Sequence, residues 1–177
     1  STEKVFSWIG RYLELTTFEI SIPALRGPSL APPGKSGVIA STMFDHDLAK
    51  HLEAQGWYGE FKDFAAAKVA KILDDSIFSR FAASICDSAV ATPLSLERMT
   101  GNLEGAITGW AFTNPTIPAE TQLIKIAKAI CTPIPGVCQA GQWSFSPAGL
   151  QLSILTGKLA ADRIIKEARR KKRDAKM

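Results

Sequence analysis

The segment GVCQAGQWSFSPAGLQLSILTGKLAADRI, from Gly136 to Ile164, constrains this chain more than any other. It reads as a short apolar strand over 137–140, a tight Gly/Pro turn, and a helix that starts near Ala148 and runs into the C-terminal residues. Gly141 lacks a Cβ and so lets the backbone come close to a ligand. The turn over 144–149 delivers the chain into a helix whose first N–H groups have no intrahelical partner. Such an end stabilises negative charge. The layout is used to bring backbone N–H groups to a ligand, and it is also an ordinary corner; the residues alone leave both readings open.

Upstream, the alternation Phe18, Ile20, Ile22 predicts a strand within 16–25. RGPSLAPPGKSG, 26–37, carries three prolines and three glycines and reads as loop. VIASTMF, 38–44, predicts a second strand, an antiparallel neighbour of the first. Asp45 or Asp47 is placed to cap the next helix, which stops at Gly56. A longer helix is expected over 57–81, with Phe61, Ala65, Val69, Ile72, Leu73 and Phe81 on its buried face. ASICDSAVATP, 83–93, reads as a strand ending at Pro93. LSLERMTG reads as a short helical turn closed by Gly101. The stretch 102–112 is glycine-rich and partly extended, and 123–130 is helix or strand. The fold class is therefore α+β: a mixed or antiparallel sheet with packed helices, the last helix being C-terminal.

At 177 residues and 46% apolar, the chain is long and apolar enough for a real core. No apolar run reaches the roughly 18 residues needed to cross a bilayer. Residues 1–10 carry early charges and no apolar h-region, so they do not read as a signal peptide. The first residue is Ser, which is read as a processed or cloned fragment. Cys86, Cys131 and Cys138 show no Cys-x-x-Cys spacing and are expected to be reduced, mostly buried thiols in a reducing, cytoplasmic compartment. They lie far in sequence from His46 and His51, so no metal site is expected. Asp45, His46, Asp47 and His51 are read as a helix cap with a surface histidine.

The net charge of +4 belongs to the end of the chain: residues 158–177 hold nine Lys/Arg against three Asp/Glu, and the rest is slightly acidic. The tail KEARRKKRDAKM is read as a solvated helix end, with contact to an acidic membrane surface as the alternative. A nucleic-acid partner is not expected, because the basic residues are not spread over a folded face with aromatics between them.

Two motifs in order carry a family resemblance. ATPLSLERMTGNLEGAITGW, 91–110, is similar to the Ala-Thr-Pro, Glu-Arg-x-Thr-Gly and Gly-Ala-x-x-Gly run of phytoene-desaturase-like flavoproteins, which include carotenoid desaturases and isomerases and retinol saturases. PIPGVCQAGQWSFSPAGLQLSILTGKLAA, 133–161, resembles their C-terminal signature: Ala-Gly after a strand, a Gly-rich turn, and a helix with Ser/Thr-Gly-x-x-Ala-Ala. LRGPSLAPPGKSG resembles their Ala-Pro-x-Gly loop. The resemblance implies an FAD-dependent oxidoreductase acting on an apolar polyene or isoprenoid. It implies a substrate-domain segment over 1–130, an FAD-contacting strand–turn–helix over 131–165 and a basic tail over 166–177.

The family's N-terminal Gly-x-Gly-x-x-Gly, which holds the ADP part of FAD, occurs nowhere here. The chain is thus expected to be the C-terminal part of a longer protein, its first partner the missing dinucleotide-binding half. Alone it is expected to hold FAD poorly, and an excised substrate domain can form a homodimer through the surface that the missing half would cover. The resemblance puts Gly141, Gln142, Ala148, Gly149 and Leu150 against FAD, and Thr92, Glu97 and Trp110 near the flavin and the substrate; a structural reading of 91–110, with Pro93 starting a turn and Glu97 paired to Arg98, stands beside it. No catalytic residue is assigned, since hydride transfer to flavin needs no obligatory protein acid. The sequence departs from the family at Pro147 and Ala148, where glycines are usual, and at Gln142, where an acid is common. The rival reading is a non-catalytic α+β binding or assembly module.

Overall fold

The computed structural model describes residues 1–110 and 117–174. The protein is α+β: helices dominate, and among the described residues the sheet has two antiparallel strands. The chain divides into two compact units, Ser1–Gly105 and Ala106–Met177.

The first unit begins with a helix that the sequence reading did not anticipate, α1, Thr2–Leu15. Phe6, Ile9, Gly10 and Leu13 are spaced to lie on one face, and all four are buried. Gly10 gives the ring of Phe64 room, because a Cβ there would sit 3.3 Å from Phe64 Cζ. Phe6 and Phe64 pack edge to face with centroids 5.2 Å apart. The Tyr12 hydroxyl donates to the Met43 carbonyl, and Thr16 meets Thr42 through their hydroxyls at 2.8 Å. These bonds tie the end of α1 to the residues just past the second strand.

That strand, β2 (Ile39–Ser41), pairs antiparallel with β1 (Glu19–Ser21), with Ile20 opposite Ala40. Both are shorter than the alternation predicted. Pro28 starts a 3-10 turn inside the expected loop, and Pro23 starts another within the residues read as strand. Helix α2, His46–Ala54, is capped by Asp45, whose carboxylate accepts the Leu48 N–H at 2.7 Å. Helix α3, Tyr58–Ser76, buries Phe61, Ala65 and Leu73 as expected. It ends before Phe81, which starts a separate short helix, α4, Phe81–Ser84. The core of the unit is Phe6, Ile9, Leu13, Leu52, Phe61 and Ala65. Each large side chain fully buried there contributes about 1.5–3 kcal/mol relative to exposure.

The strand expected over 83–93 does not form. Its first residues belong to α4, and 85–92 runs without a ladder partner, with Ile85 exposed. An apolar run needs a neighbouring strand to become sheet, and none is supplied among the described residues. Helix α5, Pro93–Thr100, then starts with Pro93 in the first turn and closes on Gly101 at φ +71°.

Among its described residues the second unit holds two α-helices, α6 (Ile126–Ala129) and α7 (Leu150–Asp174). The expected strand over 137–140 is reduced to one antiparallel bridge, Cys131 with Cys138. The thiols are not mostly buried: Cys86 and Cys131 are exposed and Cys138 is half-buried. No described helix is long and apolar enough to cross a membrane. The end of the glycine-rich stretch, at 111–112, and the last three residues of the tail lie outside the described residues.

Candidate functional site

In the second unit the chain turns sharply between the hairpin and α7. Gly141 has φ +95°, a conformation that favours glycine. Its N–H donates to Thr156 Oγ1 at 3.0 Å, and its carbonyl accepts from both the Ser144 N–H (3.1 Å) and the Ser144 hydroxyl (2.7 Å). Thr156 is fully buried and passes its own proton back to the helix, to the Leu152 or Ser153 carbonyl. The Thr of the Thr-Gly-x-x-Ala-Ala run therefore locks the turn onto α7, and its Ala160 lies buried one turn further on. Sequence reasoning had the motif but gave Thr156 no role.

Ser144, Phe145 and Ser146 form the buried floor of the turn. The Ser146 N–H donates to the Glu120 carbonyl at 2.9 Å, and the Ser146–Pro147 peptide is cis. Ser146 Oγ is buried with no hydrogen-bond partner among the described residues. Hydrogen bonds from the Gln122 and Thr121 N–H groups, with Lys125 and Lys128 nearby, hold the Glu120 carboxyl below its usual range. Beyond Pro147, Ala148 and Gly149 are half-buried and Leu150 is 73% exposed at the first turn of α7.

The two motifs meet here. The Trp110 indole N–H donates to the Trp143 carbonyl, and Gly109, at φ +82°, passes directly over the Gln142 carbonyl. A Cβ on Gly109 would lie 2.2 Å from that oxygen. Gly105 does the same in the first unit, where a Cβ would lie 2.1 Å from the Pro93 carbonyl oxygen. Both glycines of Gly-Ala-x-x-Gly are thus required by backbone crossings. Trp110, Gly141, Gln142, Ala148, Gly149 and Leu150 belong to one unit, and Thr92 and Glu97 to the other.

Thr92 is buried and caps α5 in a reciprocal pair with Ser95. Its hydroxyl also meets the Tyr58 hydroxyl at 2.6 Å. Glu97 does not pair with Arg98. Glu97 lies 3.3 Å from His46 Nε2, while Arg98 takes both carboxylate oxygens of Glu53 at 2.6 and 2.8 Å. Successive helical residues point in different directions, so each reaches α2 separately. His46 is not a surface histidine. Its side chain is 13% exposed, with Nδ1 3.3 Å from Asp47. Burial is the largest single influence on His46 and pulls its pKa down, yet hydrogen bonds and charge from Glu97 and Asp47 together leave it above the ordinary value. The His46 hydrogen bond in turn holds the Glu97 carboxyl low. His51 is the exposed histidine, packed edge-on against Trp57.

Among the described residues, no three His, Cys, Asp or Glu side chains gather as metal ligands. Two shallow hollows of about 260 and 560 Å³ open beside Trp8, and neither is lined by Thr92 or Glu97. Comparison with family models, with curated proteins and with solved structures found no match for the chain.

Proposed function

We propose that the chain is the C-terminal part of an FAD-dependent, phytoene-desaturase-like oxidoreductase. In this reading it carries the last flavin-contacting corner and a segment of the substrate domain. The observation that carries it is the open side of the turn. A Cβ on Gly141 would meet nothing within 4 Å, and one on Gly149 only Gln151 Oε1 at 3.6 Å. These glycines are not filled by the chain's own packing, unlike Gly105 and Gly109, and Gly149 immediately precedes the first turn of α7, where the N–H groups have no intrahelical partner.

The residues fit one edge of a flavin. Backbone N–H groups near Gly149 and Leu150 would face the negative charge of a reduced ring and bias its potential. Gln142 would hydrogen-bond a ribityl hydroxyl, and Ser146 Oγ is a buried polar group without a partner among the described residues. When bound, FAD would accept or return the hydride in a desaturation, saturation or isomerisation of an apolar polyene. Thr92, Glu97 and Trp110 lie on the segment that the resemblance places toward flavin and substrate. Leu150, Ile154, Ile164 and Ile165 leave an exposed apolar row on α7, which a dinucleotide-binding half would cover. The same row favours the second reading, a non-catalytic assembly module.

The test is Gly149→Val in the full-length parent, with bound flavin per protein and melting temperature both measured. Flavin occupancy and turnover should fall while the melting temperature holds, because the chain itself has room for the side chain. Full flavin and turnover in the variant would reduce the corner to a structural feature. A parent reading frame with no upstream Gly-x-Gly-x-x-Gly would favour the assembly module.

A further inference from the structure

We propose that Cys131 and Cys138 form a reversible dithiol–disulfide pair that staples the hairpin leading into the turn. The two residues are direct cross-strand partners in an antiparallel bridge. Side chains of directly opposed residues share one face of the ladder. The backbone bond beside the pair runs from the Gln139 N–H to the Ile130 carbonyl at 3.0 Å, outside the cysteines. The cysteines therefore occupy a non-hydrogen-bonded position, where Cα atoms stand about 4.5 Å apart. A disulfide spans Cα separations of about 4.4–6.8 Å, so the bond closes without moving the backbone far.

The loop between them is built to keep that register. Pro135 and Gly136 form the centre of a turn in which the Val137 N–H donates to the Ile134 carbonyl at 3.1 Å. Gly136 has φ +77°, and Pro followed by a positive-φ Gly is the type II arrangement. The Thr132 hydroxyl donates to the Val137 carbonyl at 2.9 Å, and Gln139 Nε2 to the Ala129 carbonyl at 2.8 Å. The hairpin is thus held by bonds that do not involve the thiols.

The pair is also chemically unequal. Cys131 is exposed, and Arg163 Nη1 of α7 lies 2.8 Å from its sulfur. The exposed sulfur therefore carries a guanidinium hydrogen bond on the side that faces a co-reactant. Cys138 is half-buried and has no such cation against it in the described contacts. The co-reactant is a low-molecular-weight disulfide such as oxidised glutathione. Cys131 gives up its proton and attacks one sulfur of that disulfide, forming a mixed disulfide and expelling one glutathione thiolate. Cys138 gives up its proton, attacks the Cys131 sulfur and expels the second glutathione thiolate. The protein loses two hydrogens and two electrons, and one glutathione disulfide becomes two thiols. None of this depends on the flavin reading.

The experiment is titration of the full chain with oxidised and reduced glutathione, read by thiol counting and by the intact mass under non-reducing conditions. We expect loss of two of the three thiols, a monomer lighter by two hydrogens, and a 131–138 crosslink in the peptide map. Cys86→Ser should leave that crosslink unchanged. Cys138→Ser should stop at a glutathione adduct on Cys131, and Arg163→Gln should slow its formation severalfold while circular dichroism stays the same. Retention of all three thiols, oxidation only to intermolecular dimers, or glutathione adducts on every cysteine with no crosslink would each overturn the proposal.

Discussion

The Trp110 indole N–H reaches the Trp143 carbonyl at 2.9 Å, and the two rings stand edge to face with centroids 5.2 Å apart. Gly109 and Gln142, the residues just before them, cross backbone to backbone. A side chain at Gly109 meets both a positive φ and an immovable carbonyl. Gly141 has a positive φ but open space. Gly141→Ala should cost about 1–2 kcal/mol, the price of left-handed backbone alone. Gly109→Ala should cost clearly more. Denaturant unfolding of both variants measures the difference, and equal losses would mean that the crossing does not constrain the fold.

Thr156 offers a cleaner test of the lock between turn and helix. Thr156→Val keeps the volume, removes the acceptor for the Gly141 N–H and leaves that donor without a partner. The expected cost is about 1–3 kcal/mol. Thr156→Ser keeps the oxygen and should retain most of the hydrogen-bond energy. The comparison is made by chemical denaturation, and two variants equally destabilised would point to packing as the cause.

His46 predicts a pH dependence with a definite sign. Its folded pKa is raised above the ordinary 6.5, so its contribution is complete below that value and is lost as pH rises through the folded pKa. Glu97 is lowered from 4.5, so its contribution is present above 4.5 and is lost as pH falls through the folded pKa. The pair should therefore support the α2–α5 contact best between about pH 4.5 and 6.5. In melting temperatures taken from pH 5 to 8, His46→Gln should flatten the decline on the alkaline side. An identical slope in the variant would show that another group sets it.

The end of the chain should be dispensable for folding. After Ala160 no described residue of α7 is buried. A chain ending at Ala168 keeps the Arg163–Glu167 pair and should melt within a few degrees of the full chain. A large loss of cooperativity on calorimetry would mean that the removed residues pack on the body.

What was legible in the sequence is what local chemistry decides. Asp45 as a cap, the buried stripe of α3, Gly101 closing α5 and the start of α7 all follow from residues within one or two turns of each other. Helix α1 was equally legible in its Phe6, Ile9, Leu13 spacing, which repeats with the helical period. The expected strands over 83–93 and 137–140 show the opposite error. Apolar, β-branched runs look like sheet, yet a strand exists only where a partner is supplied. The Gly109–Gln142 crossing joins residues 33 apart, and no local pattern reports a contact of that range. The same holds for Arg163 beside Cys131. Cys131, which was expected to be buried, lies exposed beside a Pro-Gly turn, which is local, and beside α7, which is not.

Helix α7 has one further consequence, for long-range electrostatics. Its 25 residues rise about 1.5 Å each, which puts Arg169 roughly 28 Å along the axis from Leu150. Counter-ions at physiological salt damp a surface charge over about 8 Å. The corner at Gly149 is therefore insulated from the cationic cluster at the other end of the same rod. An anion at the corner would respond to the peptide dipoles of the first turn and ignore the lysines and arginines. Adding salt should weaken the attraction at each end separately, since an exposed helix terminus is screened as well.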